Sequence, residues 1–154
     1  MIFVDSSFWI AQQLPRDQRH TEALALEAGH VRGPLVTSTA VVAETWTFLR
    51  RRLGHARTMA WLDRTAAAPD VRTDRIDEEL EAEAWAWLRV HDERPYSFVD
   101  ATSFALMRRL RISDALAFDG DFAAAGFNEL RPWEPQAPAG RRGWTVAGSG
   151  MTPE

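Results

Sequence analysis

The stretch Met1-Ile2-Phe3-Val4-Asp5-Ser6-Ser7-Phe8 decides the fold. Four apolar residues in a row read as a short strand buried on both faces. Asp5 stops the run. Ser6 or Ser7 can cap a helix from Phe8 to about Leu14, which Pro15 ends. A buried strand running directly into a helix is the first step of an alternation that continues along the chain.

Residues 18–29 are helix-forming and stop at a glycine. Leu35-Val36-Thr37 reads as a second strand, and Ser38 or Thr39 caps a helix to about Leu53, with Gly54 just past it. A helix over 56–67 ends before Pro69, and 71–73 reads as a third strand. Asp77 caps a helix from Glu78 to about His91. Glu93-Arg94-Pro95 breaks the chain, and Ser97 caps a helix to about Leu110. Residues 115–118 form a strand, 121–125 a short helix, and Glu129-Leu130 an edge strand. This order predicts an α/β sandwich with a short, mostly parallel sheet. In such sheets ligands bind outside the carboxyl ends of the strands. From Pro132 onward Pro, Gly and Ser dominate, so residues 1–133 read as one domain and 134–154 as a flexible tail.

Composition removes several chemistries. The 154 residues include no cysteine, which excludes disulfides, thiolate zinc sites and cysteine nucleophiles. All 18 basic residues are arginine, so neither a P-loop lysine nor a Schiff-base amine is present. The net charge is −4, so contact with nucleic acid has to come from local patches. No apolar run reaches the ~18 residues of a membrane span. The N-terminus lacks a basic n-region, and Asp5 interrupts its apolar segment, so a cytoplasmic location is expected.

Four carboxylates stand out. Asp5 and Asp119 follow the first and last apolar runs, Met1–Val4 and Ala115–Phe118. Glu44 and Asp100 sit inside apolar helical patterns. Alone, each has an ordinary reading: Asp5 and Asp119 as turn or cap residues, Glu44 and Asp100 at the wet edge of an apolar stripe. Together they are costly. Converging carboxylates repel by roughly 4 kcal/mol per close pair at an effective dielectric near 20. A divalent metal is the simplest group that offsets this, and metal-assisted phosphodiester hydrolysis is the chemistry that uses such a set.

The segments Val4-Asp5-Ser6-Ser7-Phe8, Thr39-Ala40-Val41-Val42-Ala43-Glu44, Ser97-Phe98-Val99-Asp100-Ala101 and Phe118-Asp119-Gly120-Asp121-Phe122 resemble, in that order, the PIN domain. They are most similar to VapC-like toxins of bacterial toxin–antitoxin pairs, over roughly residues 1–131. The resemblance implies a PIN-like three-layer sandwich and a Mg²⁺- or Mn²⁺-dependent ribonuclease. It implies that Asp5, Glu44, Asp100 and Asp119 form the catalytic, metal-holding pocket, with Asp5 and Asp100 the most direct ligands. Ser6 and Ser97 match hydroxyl positions near that pocket, and Asp121 is a secondary acid. It further implies a homodimer and a cognate antitoxin. Ala117 stands where the family often has Thr or Ser. The alternatives are a PIN-like module that binds RNA or a partner without cutting it, and a housekeeping RNA-processing nuclease.

Other features carry less. His20, His30, His55 and His91 show no i,i+4 pair, which argues against zinc. A phosphatase with an N-terminal Asp nucleophile needs a second Asp where Ser7 stands. Arg50-Arg51-Arg52 and Arg108-Arg109 are the densest basic clusters. Arg50, Arg51, Arg108 and Arg109 are candidate contacts to RNA phosphates, against the alternative of charges that favour helix C-termini. Of the seven tryptophans, Trp9, Trp46 and Trp61 are expected on apolar helix faces.

Overall fold

The computed structural model describes residues 1–29 and 33–132; the tail expected over 134–154 lies outside them. Among these residues five strands form one sheet: β1 (Ile2–Val4), β2 (Leu35–Ser38), β3 (Val71–Asp74), β4 (Asp114–Leu116) and β5 (Asn128–Glu129). Their order across the sheet is β3-β2-β1-β4-β5, and all four neighbouring pairs run parallel. The chain builds outward from β1 to β3 on one side, then crosses back to place β4 and β5 on the other. The reversal lies between β1 and β4, the type of switch point where parallel sheets open a crevice at their carboxyl ends. Asp5 and Asp119 follow those two strands.

Among the described residues seven helices surround the sheet: α1 (Ser6–Gln13), α2 (His20–Gly29), α3 (Thr39–Leu53), α4 (His55–Ala67), α5 (Glu78–Leu88), α6 (Phe98–Leu110) and α7 (Asp121–Ala124). α1 packs on α2 and α3, α3 on α4, and α5 along α6. Central strands without polar outer faces need cover on both sides, and Phe3, Val4, Val36, Ala115 and Leu116 are all essentially fully buried. α6 is the most enclosed helix: residues 100–107 are buried on every side. Phe104 anchors it, with its ring 5.1 Å from Phe122, 5.2 Å from Trp87 and 5.6 Å from Phe127. Burying a side chain of this size stabilises by roughly 2–3 kcal/mol. Trp9 and Trp61 pack edge-to-face in the core, and Trp46 is half-buried against it. No helix among the described residues is long and apolar enough to cross a membrane.

The structure departs from the expected boundaries for local reasons. α1 begins at Ser6, because Asp5, not Ser6 or Ser7, is its cap and accepts the Ser7 N–H. β2 runs on to Ser38, whose hydroxyl caps α3 by accepting the Val41 N–H. α5 stops at Leu88; beyond it the His91 ring contacts the Trp87 carbonyl at 2.9 Å. β4 spans Asp114–Leu116, not 115–118. The Phe118 N–H is taken by the Ser7 hydroxyl at 3.0 Å instead of by a neighbouring strand.

Candidate functional site

The acids converge at the carboxyl end of β1 and β4. Asp5 extends the central pairing, donating its N–H to the Leu116 carbonyl at 3.0 Å, and its side chain turns back as the cap of α1. One carboxylate oxygen, Oδ2, accepts from the Ser7 N–H at 2.9 Å and the Ser7 hydroxyl at 2.7 Å. The other, Oδ1, is buried with no hydrogen-bond partner among the described residues. Asp5 is 1% exposed. Burial pushes its pKa up to about 7, with the Asp119 charge adding to the rise and the Ser7 bonds opposing it.

Asp100 enters from the first turn of α6. Its Oδ2 accepts the Ser97 N–H at 2.7 Å while the Ser97 hydroxyl accepts the Asp100 N–H at 3.0 Å, a reciprocal capping box. Ser97 thus fixes the direction of Asp100. Burial raises the Asp100 pKa above the ordinary carboxylate value, and the Asp121 charge adds to it. Asp119 accepts the Asp121 N–H on Oδ1 at 2.9 Å as the chain turns into α7. Gly120 sits between them at φ +82°, a conformation that disfavours any side chain. Asp119 keeps surface open to solvent, yet the crowding of protein around its carboxyl pushes its pKa up to about 6, helped by Asp100, Asp121 and Glu129.

Carboxylate oxygens of Asp100, Asp119 and Asp121 lie within 4.8 Å of one another, a spacing one divalent ion can span. Asp121 is therefore a full member of the cluster. Asp5 flanks it closely enough for its charge and that of Asp119 to act on each other. Glu44 stands further along α3 and is reached through Ser6, whose hydroxyl donates to Glu44 Oε2 at 2.5 Å. Asp5, Asp100 and Asp119 or Asp121 each stand at the start of a helix, where peptide N–H groups and the helix dipole favour negative charge. That arrangement helps the fold tolerate the cluster, and it leaves Asp5 Oδ1 without a hydrogen-bond partner among the described residues. A buried, unpartnered Asp5 oxygen beside three converging carboxylates suits a hard cation that takes oxygen ligands.

Two residues in the site had no advance signal as such. Ser7 ties Asp5 to the end of β4 through Phe118. Arg94 donates from Nε to Asp121 Oδ1 at 2.5 Å. Ala117 is fully buried, and its carbonyl accepts from Arg131 at 2.9 Å. A hydroxyl does stand beside this strand end, supplied by Ser7.

The basic candidates divide. Arg50 and Arg51 are exposed in the last turn of α3. Arg51 lines a shallow groove of about 490 Å³ with Ala40, Glu44, Thr47, Phe48 and Val99, so the groove joins Glu44 to Arg51. Arg109 is held by Asp77 at 2.6 Å and Glu79 at 3.3 Å, and Arg108 lies over the rings of Phe127 and Trp87. Those two are committed to α5 and the core edge. A separate recess of about 330 Å³ lies between α1 and α4, lined by Trp9, Gln12, Trp61 and Arg64, away from the acids.

Comparison with known proteins bears on the family and the fold. The PIN domain family model matches residues 2–128. The chain is 53% identical over 137 residues to the 23S rRNA-specific endonuclease VapC20 in two strains of Mycobacterium tuberculosis, covering 86% of this chain and 99% of the relative. The crystal structure of M. tuberculosis VapC20, described as a sarcin–ricin loop cleaving toxin, superposes with a TM-score of 0.81 at 50% identity, over 86% of this chain and all of that one. FitAB bound to an IR36 DNA fragment shares the fold at a TM-score of 0.59 and 17% identity, over 90% of this chain and 99% of that one.

Proposed function

Since the chain belongs to the PIN domain family, we propose that it is a divalent-metal-dependent endoribonuclease acting on ribosomal RNA as the toxin of a toxin–antitoxin pair. The observation that carries the chemistry is the convergence of Asp100, Asp119 and Asp121 oxygens within 4.8 Å beside the unpartnered Asp5 Oδ1. The likeness to VapC20 supports the substrate class.

Asp5, Asp100, Asp119 and Asp121 would hold Mg²⁺ or Mn²⁺, with Glu44 and its Ser6 partner at the edge. Such an ion, when bound, acidifies a water and offsets charge on the scissile phosphate. The chain's own contribution is placement. Ser97 and Ser7 each pin one oxygen of an acid and leave the other free. The raised Asp5 and Asp119 pKa values favour protonated carboxyls in the metal-free cluster, and a cation bound there would favour their loss. With neither Cys nor Lys in the sequence, no side chain offers a thiol or amine nucleophile. The groove from Glu44 to Arg51 offers a path for the RNA strand, with Arg50 and Arg51 on phosphates.

A cytoplasmic homodimer, silenced by a cognate antitoxin, completes the reading. The test is incubation of purified protein with ribosomes in Mn²⁺, followed by mapping of 23S rRNA 5′ ends. One discrete cut supports the proposal; intact RNA under the same conditions removes it. Growth arrest on expression, relieved by the neighbouring gene, separates toxin action from housekeeping processing.

A further inference from the structure

We infer that Arg94 is a positioning residue of the acidic site, one that sets Asp119 and Asp121 for the cation. The inference rests on the metal-dependent reading above. Arg94 sits in the loop between α5 and α6, 27 positions from Asp121. Its guanidinium spans the whole Asp119-Gly120-Asp121 turn: Nε donates to Asp121 Oδ1 at 2.5 Å, Nη2 reaches the Asp119 carbonyl at 3.4 Å, and Nη2 lies 3.6 Å from where a Gly120 Cβ would stand.

Among the described residues no other cation forms an ion pair with Asp5, Asp100, Asp119 or Asp121. Arg94 is thus the one resident counter-charge. It neutralises a single acid of the cluster and occupies one of that acid's oxygens, so the rest of the site keeps its pull on a cation. The planar guanidinium also fixes orientation, which a freely rotating ammonium does less well. Phe122 anchors α7 in the core from below, but the Asp119 and Asp121 side chains lie on the outer side of the turn, and there Arg94 supplies the strut.

Groups that orient metal ligands typically change affinity 10–100-fold when removed. Calorimetric titration of Mn²⁺ into the metal-free full chain tests the role. R94A should bind Mn²⁺ 10–100-fold more weakly, and R94K should fall between R94A and the unaltered protein. If Arg94 acts through Asp121, R94A added to D121A should change affinity less than twofold. Unchanged or tighter Mn²⁺ binding by both R94A and R94K overturns the inference and makes Arg94 a bystander or a competitor. A full, additive loss in the D121A background overturns it too. D100N distinguishes the premise: if it binds Mn²⁺ as well as the unaltered protein, the metal reading itself fails, whatever Arg94 does.

Discussion

The Ser6 hydroxyl donates to Glu44 at 2.5 Å, joining the first turn of α1 to the middle of α3 across 38 positions. It couples the central strand end that carries Asp5 to Glu44, the one of these acids that lies beyond the first turn of its helix. A hydrogen bond to a charged group contributes roughly 1.5–3 kcal/mol when buried, and less here because Glu44 is half-buried. Ser6→Ala should cost about 1 kcal/mol in denaturant unfolding. It should slow RNA cleavage roughly tenfold, as expected for a group that orients a site carboxylate. Cleavage at the unaltered rate would show that the Ser6–Glu44 bond has no part in the reaction.

Asp5→Asn separates stability from function. Asp5 is buried, and its charged form is disfavoured there. The amide can keep its oxygen on Ser7 while removing the charge. The variant should melt at a higher temperature than the unaltered protein at pH 8 without metal, yet lose cleavage by at least ~100-fold. Thermal melts and a single-turnover cleavage assay check the two halves.

The metal-free protein should lose stability as pH rises from 5 to 8. The Asp5 and Asp119 pKa values are raised in the fold, to about 7 and about 6 from 3.8, so their protonated forms are the ones folding favours. Their contribution is full below about 3.8 and disappears as pH passes the raised values. The melting temperature should drop by roughly 5 °C across that window, and Mn²⁺ should cancel most of the drop. A melting temperature that rises steadily to pH 8 without metal contradicts the electrostatics described.

Arg51 and Arg109 should behave differently although both stand near helix ends. Arg51 faces the groove and forms no ion pair among the described residues, so Arg51→Ala should raise KM for RNA several-fold with kcat little changed. Arg109 bridges α6 to Asp77 and Glu79, so Arg109→Ala should lower the melting temperature slightly with KM unmoved. Steady-state kinetics with a defined RNA substrate compares them.

Much of this molecule was legible in its sequence, for identifiable reasons. The apolar runs of β1 and β4 and the caps Ser38, Asp77 and Ser97 are local signals: both strands formed on those runs, β4 with shifted bounds, and α3, α5 and α6 start directly after those caps. Asp5, Asp100 and Asp119 stood out because acids at the ends of buried strands and helices are unusual. What the sequence hid depends on the third dimension. Asp121 looked secondary because nothing local shows that α7 turns it toward Asp100. Ser7 read as an alternative cap, and its bond to Phe118, 111 positions away, has no sequence signature. Arg94 looked like part of a chain break. Arg108 and Arg109 looked free because α5 and Phe127 come alongside them only in the folded chain.

The central claim is that these carboxylates cut RNA through a bound divalent ion. The most direct measurement is the cleavage rate of 23S rRNA by the purified protein and by Asp100→Asn across a Mn²⁺ titration, starting from EDTA. The account predicts no cleavage in EDTA, saturable activation by Mn²⁺ in the unaltered protein, and at least ~100-fold slower cleavage by Asp100→Asn at every concentration. Equal rates for the two proteins, or cleavage that persists in EDTA, would contradict it.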